Sequence, residues 1–278
     1  MEASEPRPDR YAVIGHPVAH SRSPMIHAVF ARQTGEKLTY ELLDVAPEDF
    51  EVAVRGFGAA GGKGLNVTLP HKRSAFELAN ELSDAAKRAG AVNTISFLPG
   101  GVIQGDNTDG VGFMHDLTHN LDRDVTGKTI LILGAGGATR GILGPILEAE
   151  PASVLIANRT PERAAELVVE YANDVPLSAC RFRDLKDKNR ADIVINATSA
   201  GVRGESPPFP PECVGGESFC YDLAYGLKGT PFVTWAREQG AGEAVQGWGM
   251  LVEQAAESFL IWRGKRPDTQ TLLEGMAA

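Results

Sequence analysis

The segment Thr129–Arg140, T-I-L-I-L-G-A-G-G-A-T-R, constrains the fold more than any other stretch of the chain. Its apolar run reads as a buried strand, its glycines as a tight turn, and Ala138–Glu148 as the helix that follows. A strand entering a helix through G-x-G is the opening of a dinucleotide-binding βαβ unit. The first glycine makes the turn, the next lets backbone approach a pyrophosphate, and the helix N-terminus faces that charge with free N–H groups. The match is incomplete, because Thr139 occupies the third glycine position. On this segment alone, a purely structural strand–helix turn is the competing reading.

The next strand, Ser153–Ala157, ends where an NAD site places an acid for the ribose 2′-hydroxyl, roughly 20 residues on. No acid ends this strand; the chain continues Asn158-Arg159-Thr160-Pro161-Glu162-Arg163. Arg159 and Arg163 suit a 2′-phosphate through charge-assisted contacts, which favours NADP over NAD. Thr160 adds a hydroxyl and is expected to cap a helix that begins with Pro161. A capped helix carrying solvated arginines is the alternative.

The rest of the chain alternates in the same way. Expected strands are Tyr11–Gly15, Leu38–Val45, Gly64–Thr68, a hairpin of Val92–Phe97 and Val102–Gln104, Asp192–Ala197, Phe219–Leu223 and Ala244–Gln246. Expected helices are Ser23–Thr34, Pro47–Phe57, Lys72–Leu82, Asp84–Ala89, Val111–Leu121, Pro161–Ala172, Pro231–Gln239, Met250–Trp262 and Thr269–Met276. Met1–Arg10 reads as a frayed end, Asp122–Lys128 as a boundary and Gly201–Gly216 as a Pro/Gly-rich loop. Alternating strands and helices predict an α/β protein with mainly parallel sheets, and 278 residues suit two domains.

Composition narrows the function. A net charge of −9 argues against a nucleic-acid or anionic-membrane binder. No apolar run approaches the ~20 residues that cross a bilayer. Three cysteines without a C-x-x-C argue against a disulfide framework and fit a reducing cytoplasm. His115 and His119 are four apart but lack the Glu of a zinc-protease helix, so no metal is expected.

A second set of polar residues lies in the first half. Ser21 and Ser23 share the loop G-H-P-V-A-H-S-R-S-P, where Ser23 also has the position of an N-cap before Pro24. Asn66 and Thr68 alternate with apolar neighbours at a strand end, in N-V-T-L-P-H-K, where ligands of open α/β sheets bind. Asn93 and Asp109 follow in A-V-N-T and D-N-T-D-G. Lys72 and Asp109 are the acid/base candidates. Reduction of a ketone needs a proton on oxygen, which a lysine supplies and a carboxylate tunes. A surface ion pair, or no contact at all, is the bland alternative.

Taken together, these motifs, with N-R-T-P-E-R, N-A-T-S-A-G, Y-D-L-A-Y and G-W-G-M-L-V-E-Q-A-A in that order, strongly resemble those of the shikimate dehydrogenase family over residues 11–265. The resemblance implies NADP-dependent interconversion of 3-dehydroshikimate and shikimate. It implies a substrate domain of residues 1–110 and 251–278, and a Rossmann-type NADP domain of residues 111–250. The last helices would return to the first domain. It assigns Ser21, Ser23, Asn66, Thr68, Lys72, Asn93, Asp109, Tyr225 and Gln254 to substrate, with Lys72 and Asp109 as the catalytic pair. Gly134, Ala135, Gly136, Gly137 and Ala138 fall to the pyrophosphate turn, and Asn158, Arg159, Thr160 and Arg163 to the 2′-phosphate. Leu223, Gly247 and Met250 fall beside the nicotinamide. Ala28, Leu223 and Trp248 depart from the usual pattern. A quinate/shikimate dehydrogenase of relaxed substrate or cofactor choice is the runner-up, and a non-catalytic ligand-binding paralogue comes third. The resemblance also leaves room for a homodimer.

Overall fold

The computed structural model describes residues 7–171, 175–187, 190–198 and 209–277. The chain divides into two compact units, Met1–Gly112 with Leu251–Ala278, and Phe113–Met250. The first division falls after Gly112, at a glycine inside a helix.

The first unit carries strands β1 (Asp9–Gly15), β2 (Leu38–Asp44), β3 (Gly62–Val67), β4 (Glu81–Leu82), β5 (Thr94–Leu98) and β6 (Val102–Asp106). Its helices are α1 (Ser23–Thr34), α2 (Phe50–Ala59), α3 (Lys72–Leu78) and α4 (Asp84–Ala89), while α5 (Asp109–His115) begins in it and runs on into the second unit. The sheet order is β2-β1-β3-β5-β6-β4. β1 pairs parallel with β2 and β3, and the β5–β6 hairpin adds the antiparallel turn that the Pro99-Gly100-Gly101 punctuation predicts. Ala12, Ile14, Phe50, Val54, Leu65, Val67 and Ile95 build the core on one side.

The second unit carries β7 (Thr129–Leu133), α6 (Gly137–Glu148), β8 (Ser153–Asn158), α7 (Pro161–Glu170), β9 (Leu177–Arg181), β10 (Ile193–Asn196), β11 (Phe219–Asp222), α8 (Pro231–Glu238) and β12 (Glu243–Gln246). Every pairing in its sheet is parallel, in the order β12-β11-β10-β7-β8-β9. That is the doubly wound Rossmann arrangement, with the strand order reversing between β7 and β10. Strands covered by helices on both faces need apolar runs, and T-I-L-I-L and I-V-I-N supply them.

Helix α9 (Trp248–Arg263) starts in the second unit and passes into the first, followed by α10 (Gln270–Ala277). Val252, Ala255, Ala256 and Phe259 bury against Ile26, Phe30 and Leu272. Arg263 fastens its end, reaching Asp9 Oδ2 at 2.5 Å, the Tyr11 hydroxyl and Glu36.

Several boundaries differ from the sequence reading. Asp9 and Arg10 belong to β1, paired with Leu38 and Thr39, and are not part of a frayed end. Helix α3 stops at Leu78, because the Asn80 backbone N–H and side-chain oxygen both pair with Ile103, at 2.8 and 2.9 Å. That pairing draws Glu81-Leu82 into the sheet beside Gln104-Gly105. After His115 the helix widens into a π turn over Asp116–Asn120, closed by Leu121 N–H on Asp116 O at 3.0 Å. Strand β9 has no counterpart in the apolar pattern; it is a half-exposed edge strand without an apolar run. Residues 199–208, which include part of the Gly201–Gly216 loop and the end of N-A-T-S-A-G, and Ala172 lie outside the described residues. Among the described residues no helix is long and apolar enough to cross a membrane.

Candidate active site

Backbone pairing gathers the first unit's polar residues before any side chain acts. Val67 N–H donates to Asn93 O at 2.7 Å, Val92 N–H to Lys72 O at 2.9 Å and Asn93 N–H to Asp106 O at 3.0 Å. The end of β3, the start of α3 and the loops before β5 and after β6 are therefore tied together. On this frame Lys72 Nζ reaches Asp109 Oδ2 at 2.5 Å. The pair is mostly enclosed, with side chains 14% and 6% exposed. Asn93 Nδ2 donates to the other carboxylate oxygen, Asp109 Oδ1, at 2.9 Å. Asp109 N–H is itself held by Asn107 Oδ1 at 3.1 Å, whose amide anchors on Ala91 O. The two residues proposed from sequence as an acid/base pair do meet, and the surface-charge alternative fails.

The other first-unit residues converge to different degrees. Asn66 is buried and donates to Ser258 Oγ at 2.9 Å and to Asn93 O at 3.3 Å. Gln254 reaches Asn93 from α9 at 3.5 Å. Ser21 Oγ contacts Ser23 Oγ at 3.2 Å and accepts from Ser23 N–H at 3.3 Å. Ser23 is not the helix cap; Arg22 holds that position, and no side chain caps α1. Thr68 stands just past β3, its N–H on Ile14 O at 2.9 Å, with its methyl group 2.4 Å from where a Cβ on Gly15 would stand. Tyr225 belongs to the second unit, where its ring packs on Trp248 with centroids 4.5 Å apart.

Sequence reasoning missed four members of this network: Tyr40, Thr94, Thr108 and Ser258. Tyr40 hydroxyl donates to Asn66 Oδ1 at 2.7 Å, and Thr108 hydroxyl accepts from Asn93 Nδ2 at 2.9 Å. Thr94 and Thr108 stood inside the quoted motifs, next to the asparagine and aspartate that drew attention. Ser258 had only its spacing of four from Gln254 as a signal. His27 lies beneath the same cluster, fully buried and stacked on Tyr40 with centroids 4.2 Å apart. Burial pushes its pKa down to about 3, so the ring is neutral.

In the second unit Gly134 has φ +109°, and a Cβ there would come within 3.0 Å of Ala197 O. Thr139, at the third fingerprint position, is buried and returns its hydroxyl to Gly134 O at 2.9 Å. The hydroxyl thus fastens the turn that a third glycine would otherwise pack against. Gly136 precedes α6 without a side-chain cap, and a Cβ at Gly136 would meet nothing within 4 Å. Ala135 and Ala138 flank that turn. The loop therefore offers an uncapped helix N-terminus over open space, a fit for a pyrophosphate. Arg159 and Arg163 are exposed, and Asn158 Nδ2 pairs with Thr160 O at 2.8 Å. Thr160 takes the N-cap position of α7, but its hydroxyl makes no cap bond, contrary to expectation. Among the described residues, that hydroxyl and both guanidiniums are left open to a phosphate.

Leu223 N–H bonds Asn196 O at 2.9 Å and Gly247 N–H bonds Ala224 O at 3.0 Å. A side chain at Gly247 would collide with Leu223 O at 2.8 Å. Met250 is buried, and its N–H donates to the Tyr221 hydroxyl at 3.3 Å. Tyr221 in turn donates to Asp116 Oδ2 at 2.5 Å; burial first, then the carboxylate, holds its pKa well above the usual phenol range. Asp222 accepts from Asn196 Nδ2 at 2.9 Å and Ala224 N–H at 3.1 Å, yet burial raises its pKa to about 6. Among the described residues no cluster of three or more His, Cys, Asp or Glu has metal-site geometry.

Comparison with known proteins agrees with this geometry. Residues 13–95 match the shikimate dehydrogenase substrate binding domain, residues 116–202 the shikimate / quinate 5-dehydrogenase profile, and residues 247–274 the shikimate 5′-dehydrogenase C-terminal domain. Shikimate dehydrogenase (NADP(+)) of Methylococcus capsulatus is 52% identical over 272 residues, covering 98% of this chain and 97% of that protein. The chain belongs to the shikimate dehydrogenase family. Among solved structures, the Ael1 enzyme of Pseudomonas putida is 45% identical with a TM-score of 0.86, covering 96% of this chain and 98% of that one. Shikimate 5-dehydrogenase of Thermus thermophilus, solved in complex with NADP(H) and shikimate, is 33% identical with a TM-score of 0.84, covering 97% and 98%. Family membership accounts for the asymmetry between the units: a Rossmann sheet in one, a mixed sheet with a polar cluster in the other.

Proposed function

We propose that this chain is an NADP-dependent shikimate dehydrogenase, interconverting 3-dehydroshikimate and shikimate in aromatic amino-acid biosynthesis. The enclosed Lys72–Asp109 pair, set among amides and hydroxyls, carries the reading. The unit of Met1–Gly112 and Leu251–Ala278 is the substrate unit, and Phe113–Met250 the NADP unit. In the reductive direction Lys72 gives an ammonium proton to the carbonyl oxygen as that oxygen gains charge. The neutral amine then takes a proton from solvent, and the reverse sequence serves alcohol oxidation. Asp109 holds the ammonium in place and keeps it from rotating away. NADP, when bound, supplies or takes the hydride at the ring carbon.

Ser21, Ser23, Asn66, Thr68, Asn93, Tyr225 and Gln254 bind the substrate's hydroxyl and carboxylate groups with Lys72 and Asp109. Gly134–Ala138 would hold the pyrophosphate against the N-terminus of α6. Asn158, Arg159, Thr160 and Arg163 would hold the 2′-phosphate, and Leu223, Gly247 and Met250 the nicotinamide side. The three free cysteines suit a cytoplasmic protein, which fractionation tests; analytical ultracentrifugation tests a homodimer.

The deciding experiment is a panel of shikimate and quinate against NADP and NAD on purified protein, read as reduced nicotinamide absorbance. Turnover of shikimate with NADP is expected to dominate. Preference for quinate, or for NAD, moves the chain to the runner-up reading, and binding without turnover overturns the enzyme.

A further inference from the structure

The hydrogen bonds behind the site have a direction that can be worked out from proton counts. Tyr40 O–H donates to Asn66 Oδ1 at 2.7 Å, so the Asn66 amide nitrogen points the other way, into Ser258 Oγ at 2.9 Å. Thr94 spends its one hydroxyl proton on Asn93 Oδ1 at 2.9 Å. In the 2.8 Å contact between Ser258 and Thr94, the donor is therefore Ser258. That 2.8 Å contact is the shortest that Ser258 Oγ makes; Gln254 O lies 3.0 Å away and is also reached by the Thr108 hydroxyl at 3.0 Å, and Thr108 Oγ1 lies 3.2 Å away. With its oxygen occupied by Thr94 and by Thr108 N–H at 2.8 Å, Asn93 turns its nitrogen to Asp109 Oδ1. Every donor in the series Tyr40, Asn66, Ser258, Thr94, Asn93 thus points toward the carboxylate that holds Lys72.

A flip at one end propagates. Without the Tyr40 proton, Asn66 loses the contact that fixes its amide, and its carbonyl can face Ser258. Ser258 would then donate back to Asn66, Thr94 would donate to Ser258, and Asn93 Oδ1 would keep the Thr108 N–H but lose the Thr94 hydroxyl. His27, buried and stacked under Tyr40, keeps the phenol where it starts the series. Ser258 is fully buried on α9, so the series also carries the placement of the C-terminal helix into the site.

We propose that Tyr40 and Ser258 are positioning residues, whose hydroxyl polarity sets the amide orientation of Asn66 and, through Thr94, adds a second donor to the Asn93 oxygen beside Lys72–Asp109. The proposal rests on the function assigned above for its kinetic arm only. Tyr40→Phe and Ser258→Ala are each expected to raise the KM for shikimate about tenfold, the loss of one well-placed hydrogen bond, with kcat within about twofold. The double variant is expected to be no worse than about tenfold, because both break one series. Independently of turnover, side-chain amide hydrogen exchange of ¹⁵N-labelled protein is expected to show Asn66 slow in the parent and at least about tenfold faster in Tyr40→Phe, the exchange counterpart of losing one hydrogen bond, with Asn93 changing less because Thr108 N–H still holds its oxygen. Unchanged KM in both single variants, a multiplicative effect in the double, or unaltered amide exchange overturns the proposal. A parent without shikimate turnover defeats the assigned function instead, and the exchange measurement then decides this inference alone.

Discussion

Lys72 Nζ and Asp109 Oδ2 stand 2.5 Å apart, and the second oxygen of that carboxylate takes the Asn93 amide at 2.9 Å. Both carboxylate oxygens are therefore committed, one to the ammonium and one to a fixed amide. The arrangement fixes the direction of the Lys72 ammonium, which is enclosed and not a mobile surface charge.

Removing that donor should cost what general acid catalysis supplies. Lys72→Ala is expected to lower kcat by about 10²–10⁴, with the KM for NADP unchanged. Asp109→Asn leaves the ammonium with a neutral partner and should lower kcat in the same direction by a smaller factor. Steady-state kinetics in both directions checks this, and Lys72→Ala with parental kcat would falsify the assigned role.

The arginines after β8 should set cofactor choice. Charge-assisted hydrogen bonds to a phosphate are worth about 1.5–3 kcal/mol. Arg159→Ala with Arg163→Ala is expected to raise the KM for NADP by about 10–100-fold or more and leave that for NAD within a few-fold. The ratio of the two specificity constants is the readout; a parallel loss with both cofactors would show the arginines to be structural.

Gly112 sets the approach of α5 to α9. A Cβ there would lie 2.5 Å from Gln254 N and 2.8 Å from its Cα, and backbone cannot step aside as a side chain can. Gly112→Ala is expected to destabilise the protein by about 1–3 kcal/mol, as overpacking does. The displaced Gln254 should raise the KM for shikimate. Denaturant titration alongside kinetics tests both parts.

His27 makes the first unit acid-sensitive. Its folded pKa of about 3 lies below the unfolded value of 6.5, so on acidification the unfolded chain binds a proton that the folded chain refuses. Stability is therefore full above pH 6.5 and falls by about 1.4 kcal/mol per pH unit as pH drops toward 3. Asp222, raised from 3.8 to about 6, has the opposite slope between those values, but it belongs to the second unit. Thermal unfolding of His27→Phe is expected to lose less Tm between pH 7 and pH 5 than the parent, about 2 kcal/mol less destabilisation by the same proton count. Equal acid loss in parent and variant would remove His27 as the cause.

The second unit was legible in the sequence because its determinants are local. T-I-L-I-L-G-A-G-G-A-T-R specifies strand, turn and helix from neighbouring residues, and N-R-T-P-E-R sits one βα unit later. Even there, Thr139 departs from the glycine pattern, and only the fold explains it, by placing its hydroxyl on Gly134 O. Strand β9 and the Glu81-Leu82 strand went unread for a related reason: each is recruited by a partner strand rather than by its own apolar pattern.

The amino-acid sequence by itself determined the alternation of strands and helices, the open glycine turn and the types of polar group at the loops. These follow from side-chain periodicity and backbone freedom over a few residues. Tertiary structure alone decided that Lys72 meets Asp109 across 37 residues and that Ser258 meets Asn66 across 192. Such contacts depend on sheet order and on α9 burying Val252, Ala255 and Phe259 in the first unit. The direction of hydrogen bonding from Tyr40 to Asp109 belongs to that same level, because a hydroxyl or amide has no orientation until its partners are in place.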